Sequence, residues 1–544
     1  MVIIAVPLTA HAQAAGGGNE VFAGSIFESY LRYLQTLGKS NPTAWGIRGL
    51  GPQELDAIAP KDTAHPWAHR YDFSKQNGPG AHYQMVYPTI GFIVNTGFPW
   101  GSNDGPIWAG KGLTSWAQVG ASLRYGILSA RIAPIAFRAE NTSFPLWSNG
   151  QIGTLVFANG QFPLEIDLPQ RFGDAAYSRV DLGESEVRVD GKGLTAGVST
   201  ASQWCGPTTV FPYVLGNNAG GFPHMFLGTS KPANLGIGHI HGHLVYGMLN
   251  QSKFSPVRGQ DYFQSYTSPG KKRFMAGAVG LITIKAIPGF EVGGTRFFHS
   301  ALDSTGIKLS DFKLPVQNLL KNRLKNEGDT VFGDDRSLLQ NQLASVFMRW
   351  APPNTGIEIY GEFGREDFSA DIRDFYLESD HSSTQNFGFR KAWMKGGNVS
   401  AVRGEWFNYE APAGTRTRGE GLIYLHQPLL QGHTYDGQLL GSNVGPGAGS
   451  AQTLGYDRFT PSGRWSGWIS RTEMGEISSR IKDYETGPAK KNPIDVQFTF
   501  GLEHTRFVGP FDMTGRVALT RELNRYLEKD ASNANFALTI RQAF

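Results

Sequence analysis

Along most of the chain, apolar and polar residues alternate with a period of two. In "IDVQFTFGLE", Ile494, Val496, Phe498, Phe500 and Leu502 share one face, while Asp495, Gln497, Thr499 and Glu503 share the other. "FDMTGRVALT" sets Phe511, Met513, Val517 and Leu519 against Asp512, Thr514, Arg516 and Thr520. "GIEIYGEFG" opposes Ile357, Ile359 and Phe363 to Glu358 and Glu362. Successive side chains of a strand point to opposite faces, so each segment predicts a strand with one apolar side. A soluble sandwich turns that side to a core, and a membrane barrel turns it to lipid with the polar side in the lumen. The alternation by itself does not choose between them.

Three further features favour the barrel. About nineteen candidate strands are present, many of ten or more residues against the ~5–6 usual in globular sheets. One of two weak candidates, Thr154 to Ala158 or Gln452 to Tyr456, is then a loop, because bacterial single-chain barrels have even strand numbers. Tight turns such as "RYGILS" (124–129) and "VGPFDM" (508–513) alternate with long connections, Ser300 to Gln342 and Gln427 to Ser450, as expected when the two barrel ends face different compartments. The chain closes with "NFALTIRQAF", where Phe536, Leu538, Ile540 and Phe544 share a face; a closing strand of this kind resembles the assembly signal of bacterial outer-membrane barrels.

The period differs only near the start. "SIFESYLRYLQTL" has Ser25 and Glu28 at capping-box spacing and apolar residues at helical intervals, with Gly38 as its stop. "PQELDAIA" opens with Pro52 at a first helical position. Upstream, the apolar Val2 to Leu8 followed by Ala12-Gln13-Ala14 reads as a signal peptide, truncated because no basic residues precede it, with a disordered N-terminus as the alternative. The expected organisation is a signal peptide over 1–14, a periplasmic helical module over 15–78 and an outer-membrane β-barrel over 79–544.

Composition narrows the classes. With 69 glycines, 12% aromatic and only 18% charged residues, the chain suits long strands and tight turns, and the aromatics argue against disorder. A net charge of +4 is too small to indicate nucleic acid. The single Cys205 excludes an internal disulfide and a multi-thiolate metal cage. No apolar run is long enough for a transmembrane helix.

Several segments without periodicity resemble the capsule-assembly Wzi family of outer-membrane proteins. They are "LRYLQTLG", "SNDGPIWAGKG", "IDLPQRFG", "GVSTASQWCGP", "LGNNAGGFPHMFLGTSKP" and "YDGQLLGSNVGPGAGS", spread over nearly the whole mature chain. The family pattern has a second Trp where this sequence has Trp204-Cys205, which would weaken an aromatic platform or expose a thiol to modification. The resemblance implies an all-β, transmembrane antiparallel barrel of about 18 strands with a small N-terminal helical plug. It also implies a non-enzymatic, lectin-like protein that binds or anchors capsular or extracellular polysaccharide. The expected location is the outer membrane of a Gram-negative bacterium. Lipid, lipopolysaccharide and, during insertion, the barrel-assembly machinery are the other expected partners.

Holding a sugar polymer requires aromatic faces, amide and carboxylate partners for hydroxyls, and cations where the polymer is acidic. Trp100, Asn103, Asp104 and Trp108 meet that description in one loop, and Trp204, Asn217, Asn218 and His224 in another pair of segments. The same residues also suit turn-fixing and loop-pinning roles. "LPVQNLLKNRLKN" predicts an amphipathic helix starting at Pro315, with Val316, Leu319, Leu320 and Leu324 buried. Lys321, Arg323 and Lys325 would meet an acidic polymer or lipopolysaccharide phosphates, or form a solvated face. In "GIGHIHGHLVYG", His239, His241 and His243 share a face and Ile240, Leu244 and Tyr246 the other. This places the imidazoles in a hydrated lumen; a metal site would need a further ligand that no HExxH or Cys cluster supplies. No cofactor is indicated. No nucleophile elbow or phosphate loop points to an enzyme. The main alternative is a porin for small solutes or sugars, which the helical plug opposes.

Overall fold

The computed structural model describes residues 21–71, 73, 81–256, 272–302, 306–317, 340–366, 372–377, 379, 381–409, 422–426, 429–474 and 494–543. The expected signal peptide, Phe544 and the cationic trio Lys321, Arg323 and Lys325 lie outside the described residues.

The long alternating segments form one closed antiparallel barrel of 18 strands. In chain order these are β1 (Ala81–Asn95), β2 (Gly112–Tyr125), β3 (Leu128–Ile132 and Ile135–Ala139), β4 (Tyr177–Asp181 and Glu186–Gly191), β5 (Leu194–Ser199) and β6 (His224–Thr229 and Ala233–Asn234). There follow β7 (Gly238–Leu249), β8 (Arg273–Ile284), β9 (Phe290–Ala301), β10 (Gln340–Trp350), β11 (Ile357–Glu366) and β12 (Ser383–Lys395). The last six are β13 (Asn398–Asn408), β14 (Ser450–Thr460), β15 (Gly463–Met474), β16 (Asp495–Val508), β17 (Phe511–Arg525) and β18 (Lys529–Gln542). Each strand pairs with its sequence neighbour, and β18 closes on β1 through Ile90↔Ile540 and Asn95↔Asn535. Proline lacks the N–H a ladder needs. Accordingly β3 breaks at Pro134, β6 at Pro232, and β1 shifts register between Val86 and Thr89, around Pro88.

Of the two weak strand candidates, Gln452 to Tyr456 lies within β14, while Gly153–Phe157 is a 3-10 helix. Burial reverses the order of a water-soluble protein. Phe498, Phe500, Leu502, Val517 and Leu519 are exposed, whereas Glu358 is 0% and Glu362 4% exposed. Apolar side chains therefore clothe the outside and carboxylates line the inside, the arrangement a lipid solvent demands. Tyr83, Tyr125, Trp350, Trp393 and Trp465 stand exposed close to the short-turn end, as an interfacial aromatic girdle does.

The connections sort by end. Two-residue turns such as 126–127, 192–193, 396–397 and 509–510 lie at one end, with the start of β1 and the end of β18; 140–176, 200–223, 302–339 and 409–449 connect strands at the other, the loop end. The turn end is filled by the N-terminal segment. Helix α1 (Ile26–Thr36) starts at Ser25, whose hydroxyl accepts from the Glu28 amide at 3.3 Å. It stops before Gly38, which has a left-handed φ of +72° and no room for a Cβ against Asn354. Helix α2 (Pro52–Ile58) starts with the expected proline.

Polar residues of α1 meet the strand walls. Arg32 is bonded to Glu358, and the Tyr33 hydroxyl donates to Asp457 at 2.8 Å. Arg349 donates to Glu358 at 2.7 Å and to Gln35 at 3.2 Å. Tyr30, Trp67 and Tyr71 pack on Phe459 and Phe507, and Phe73 on Tyr30 and Tyr71, in an aromatic core under the turns. A second core forms where residues of the 200–223 and 422–449 regions fold inward against β6–β10 and β13. The lumen is thus occupied from both ends on this side.

The histidine triplet faces inward as expected, but two of its members, His241 and His243, are buried rather than hydrated. His241 is 1% exposed; its Nε2 lies 3.0 Å from Glu54 of α2 and its Nδ1 2.6 Å from Thr229 Oγ1. His243 bonds the Thr229 carbonyl at 3.1 Å, and His239 sits 3.3 Å from Thr283 Oγ1. Helix α2 covers the lumen face of β7, which the two-residue period of β7 alone does not reveal. Burial opposes ionisation of Glu54, but His241 beside it holds the carboxyl below its usual range. Among the described residues, no group of three or more His, Cys, Asp or Glu is placed to hold a metal ion.

His65 supplies a pH test of plug seating. Its Nδ1 meets the Tyr30 hydroxyl at 2.9 Å, and burial lowers its pKa from 6.5 to about 4. The folded module therefore favours neutral imidazole, and the unfolded chain binds the proton first. This contribution to stability is complete above pH 6.5 and lost as pH falls toward about 4. Protease resistance of the N-terminal module should decline across that window, and His65→Gln should flatten the decline.

Candidate functional site

A space open to a ligand lies on the interior side toward the loop end, between the infolded loops and β14–β17. It is a chamber of about 620 Å³, within the ~300–1,000 Å³ typical of pockets that enclose a small molecule. Aromatic, amide and charged side chains line it together.

Its wall begins with the alternation of β15. Arg464, Ser466, Trp468 and Ser470 point inward, while Trp465 and Ile469 point out and are exposed. Opposite Trp468 in register is Gly501, where a Cβ would fall 2.1 Å from the indole. That glycine lets the ring lie against the wall. The β1–β2 loop contributes Trp100, whose Nε1 donates to Gln497 Oε1 at 3.2 Å and whose ring has the Arg516 guanidinium at 5.7 Å. Arg525 is sandwiched by Phe98 at 4.0 Å and Tyr526 at 4.4 Å, and Trp147 packs on Tyr526 at 5.4 Å.

The roof is a clasp of three loops. Asn103 adopts φ +56° and donates to the Val210 carbonyl at 2.9 Å. The Gly105 amide donates to the Asn217 carbonyl at 2.7 Å. Gln438 donates to Gly105 and Asn218 carbonyls at 3.3 and 3.4 Å, and Asn218 donates to Leu439 at 3.2 Å. Asp104 accepts the Ser102 amide at 3.1 Å; burial raises its pKa against the opposing pull of Arg516. Beneath the clasp, Glu405 accepts the amides of Thr209, Val210 and Phe211 at 2.7, 3.1 and 2.7 Å, and the Tyr360 hydroxyl at 2.6 Å.

Trp100, Asn103, Asp104, Trp108 and Asn218 therefore reach the chamber wall. The others stand elsewhere. Asn217 ties the clasp and donates to the Ala23 carbonyl at 3.1 Å. Trp204 is 1% exposed, stacked at 4.0 Å under Arg48 of the plug, and offers no face to a polymer in this structure. Cys205 beside it is buried too, and burial pushes its thiol pKa up, so the expected exposed thiol is corrected. The 204–205 pair forms a two-stranded bridge with Ile47–Arg48, which draws both residues inside. His224 is buried, with Nδ1 2.7 Å from the Phe222 carbonyl.

The expected amphipathic helix is also revised in its described part. Leu309–Val316 is a 3-10 helix in which Leu314 and Pro315 are buried and Val316 is exposed. This segment rests on Tyr246 and Phe274 of the outer wall, so Phe312 and Leu314 supply its contacts.

Phe98, Trp147, Trp468 and Tyr526 escaped the sequence reading. For Trp468 a signal existed: an indole on the polar side of an alternating strand lines a lumen.

Neither a protein-family model nor a curated protein sequence matches the chain. Among solved structures it is similar to Wzi of Escherichia coli, an outer-membrane protein involved in group 1 capsule assembly and a carbohydrate-binding β-barrel. The identity is 12%, the TM-score 0.59, and the match covers 96% of this chain and 99% of that one. The chain has the Wzi fold. It also matches OccAB3 of Acinetobacter baumannii (9% identity, 85% and 99% covered, TM-score 0.40) and OpdQ of Pseudomonas aeruginosa (8%, 85% and 97%, 0.40).

The Wzi-like sequence segments acquire a spatial meaning within that fold. Residues 102–112, 215–232 and 435–450 are far apart in sequence, yet Gly105, Asn217, Asn218 and Gln438 join them in the clasp. Their clasp residues stand in loops, while His224–Thr229 of the middle segment continues into the wall as part of β6.

Proposed function

We propose that this protein is a non-enzymatic barrel of the Gram-negative outer membrane that binds capsular or extracellular polysaccharide and anchors it at the cell surface. The turn end with the helical plug would face the periplasm, and the clasp and chamber the outside. The observation that carries the reading is the chamber itself: flat aromatic faces beside amides and guanidinium groups, at the loop end of the barrel. Sugar rings stack their apolar faces on aromatic rings, and their hydroxyls take amide and charged partners. The carbohydrate binding of Wzi, a barrel of the same fold, supports this reading. Of the candidate residues, Trp100, Asn103, Asp104, Trp108 and Asn218 would serve here, with Trp468 and Trp147 added.

Binding of acidic and neutral oligosaccharides to the detergent-solubilised full chain, followed by tryptophan fluorescence and calorimetry, tests the proposal. Trp100→Ala and Trp468→Ala should each weaken binding about 5- to 30-fold, the loss of one stacked face. Wild-type affinity in both variants would remove the chamber from the account.

A further inference from the structure

Among the described residues four arginines line the chamber, and three are already occupied. Arg403 pairs with Asp457 at 3.0 Å. Arg464 pairs with Asp457 at 2.7 Å and Glu503 at 2.6 Å. Arg525 pairs with Glu522 at 2.6 Å. Arg516 differs. Its Nε donates to the neutral Asn535 amide oxygen at 3.2 Å, and among the described residues no carboxylate lies within ion-pair distance of it. Glu503 stands directly across the strand pair, yet its carboxylate turns to Arg464. The terminal nitrogens of Arg516 are left beside the Trp100 ring, in a space where Gln497 is also anchored by that ring.

A guanidinium presents a planar fork that fits a carboxylate through two parallel hydrogen bonds. With an indole at 5.7 Å, the fork and the ring are spaced for one pyranose unit, ring face on Trp100 and acid group on the fork. We infer that the chamber selects a sugar unit bearing a carboxylate, a hexuronate, with Arg516 as the specificity-determining residue. This rests on the polysaccharide reading of the same chamber and names the substrate class.

The acids of the wall do not cancel this charge. Glu503 and Glu522 are matched by Arg464 and Arg525, and Asp495 accepts the Tyr526 amide at 3.0 Å. Asp104 also feels the Arg516 charge, but it lies outside ion-pair distance and its carboxylate accepts the Ser102 amide.

The test uses the full chain in detergent with trigalacturonate and its carboxyl-reduced neutral counterpart. The wild type should bind the acidic trimer about 10- to 100-fold more tightly, the range for a charge-assisted contact. Arg516→Gln should level the two affinities, the acidic trimer losing far more than the neutral one, and Arg516→Lys should retain a reduced preference; heat-modifiable migration on gels confirms that each variant remains a folded barrel. Equal wild-type affinities for both trimers would overturn the inference and leave the polysaccharide reading standing. A preference that persists in Arg516→Gln would overturn the role of Arg516. Absence of binding to either trimer, and to other oligosaccharides, would overturn both.

Discussion

Replacing Glu358 by alanine is expected to release the N-terminal helices from the barrel and raise its ion conductance. Glu358 is 0% exposed and accepts from Arg32 of α1 and, at 2.7 Å, from Arg349 of β10. Arg32 and Arg349 are equally buried. Removing the carboxylate leaves two guanidinium groups without it in a site closed to water, and breaking a buried pair in this way costs about 3–5 kcal/mol. That loss falls on the junction between α1 and the strand wall. Trypsin should then cleave within residues 21–71 at a rate the wild type does not show, and planar bilayers should register steady conductance. Glu358→Gln keeps an acceptor and should show a smaller change.

The second large effect concerns Glu405. Its two oxygens collect three consecutive backbone amides, the Thr209 hydroxyl at 3.0 Å and the Tyr360 hydroxyl. Glu405→Ala strands these donors, at about 1–3 kcal/mol for each one left buried and unmade. The segment 208–211 also carries the Val210 carbonyl to which Asn103 donates, so its release reaches the chamber roof. Saccharide affinity should fall more than tenfold although Glu405 lies outside the chamber lining. Denaturation midpoints and calorimetric titration of one preparation would check both consequences. Unchanged saccharide affinity in a destabilised Glu405→Ala barrel would separate the clasp from binding.

The walls of this molecule were legible because side-chain direction in a strand is local. Phe500 and Glu358 are assigned to lipid and lumen by the residues beside them, and the exposure of each agrees. The ends were legible too, since loop length records which rim a connection occupies. The contents of the lumen were not. Trp204 looked like an accessible aromatic until Arg48 from the plug covered it, and His241 looked hydrated until Glu54 met it. Those partners lie more than a hundred residues away, and only the curvature of the closed sheet brings them together. The chamber was half legible for the same reason. Trp100, Asn103 and Asp104 stand in one conspicuous loop, whereas Trp147, Trp468 and Tyr526 come from three other places in the sequence. Arg516 belongs to an ordinary alternating strand; its free fork follows from Glu503 turning to Arg464.

The most direct test of the account is the partition of polysaccharide between cells and medium. A strain lacking this gene, complemented with wild type or with the Trp100→Ala, Trp468→Ala double variant at equal outer-membrane levels, would be imaged and its polymer assayed in both fractions. Polymer held at the surface by the wild type and shed by the double variant is the predicted result. Equal retention by the empty strain, the wild type and the double variant would contradict it.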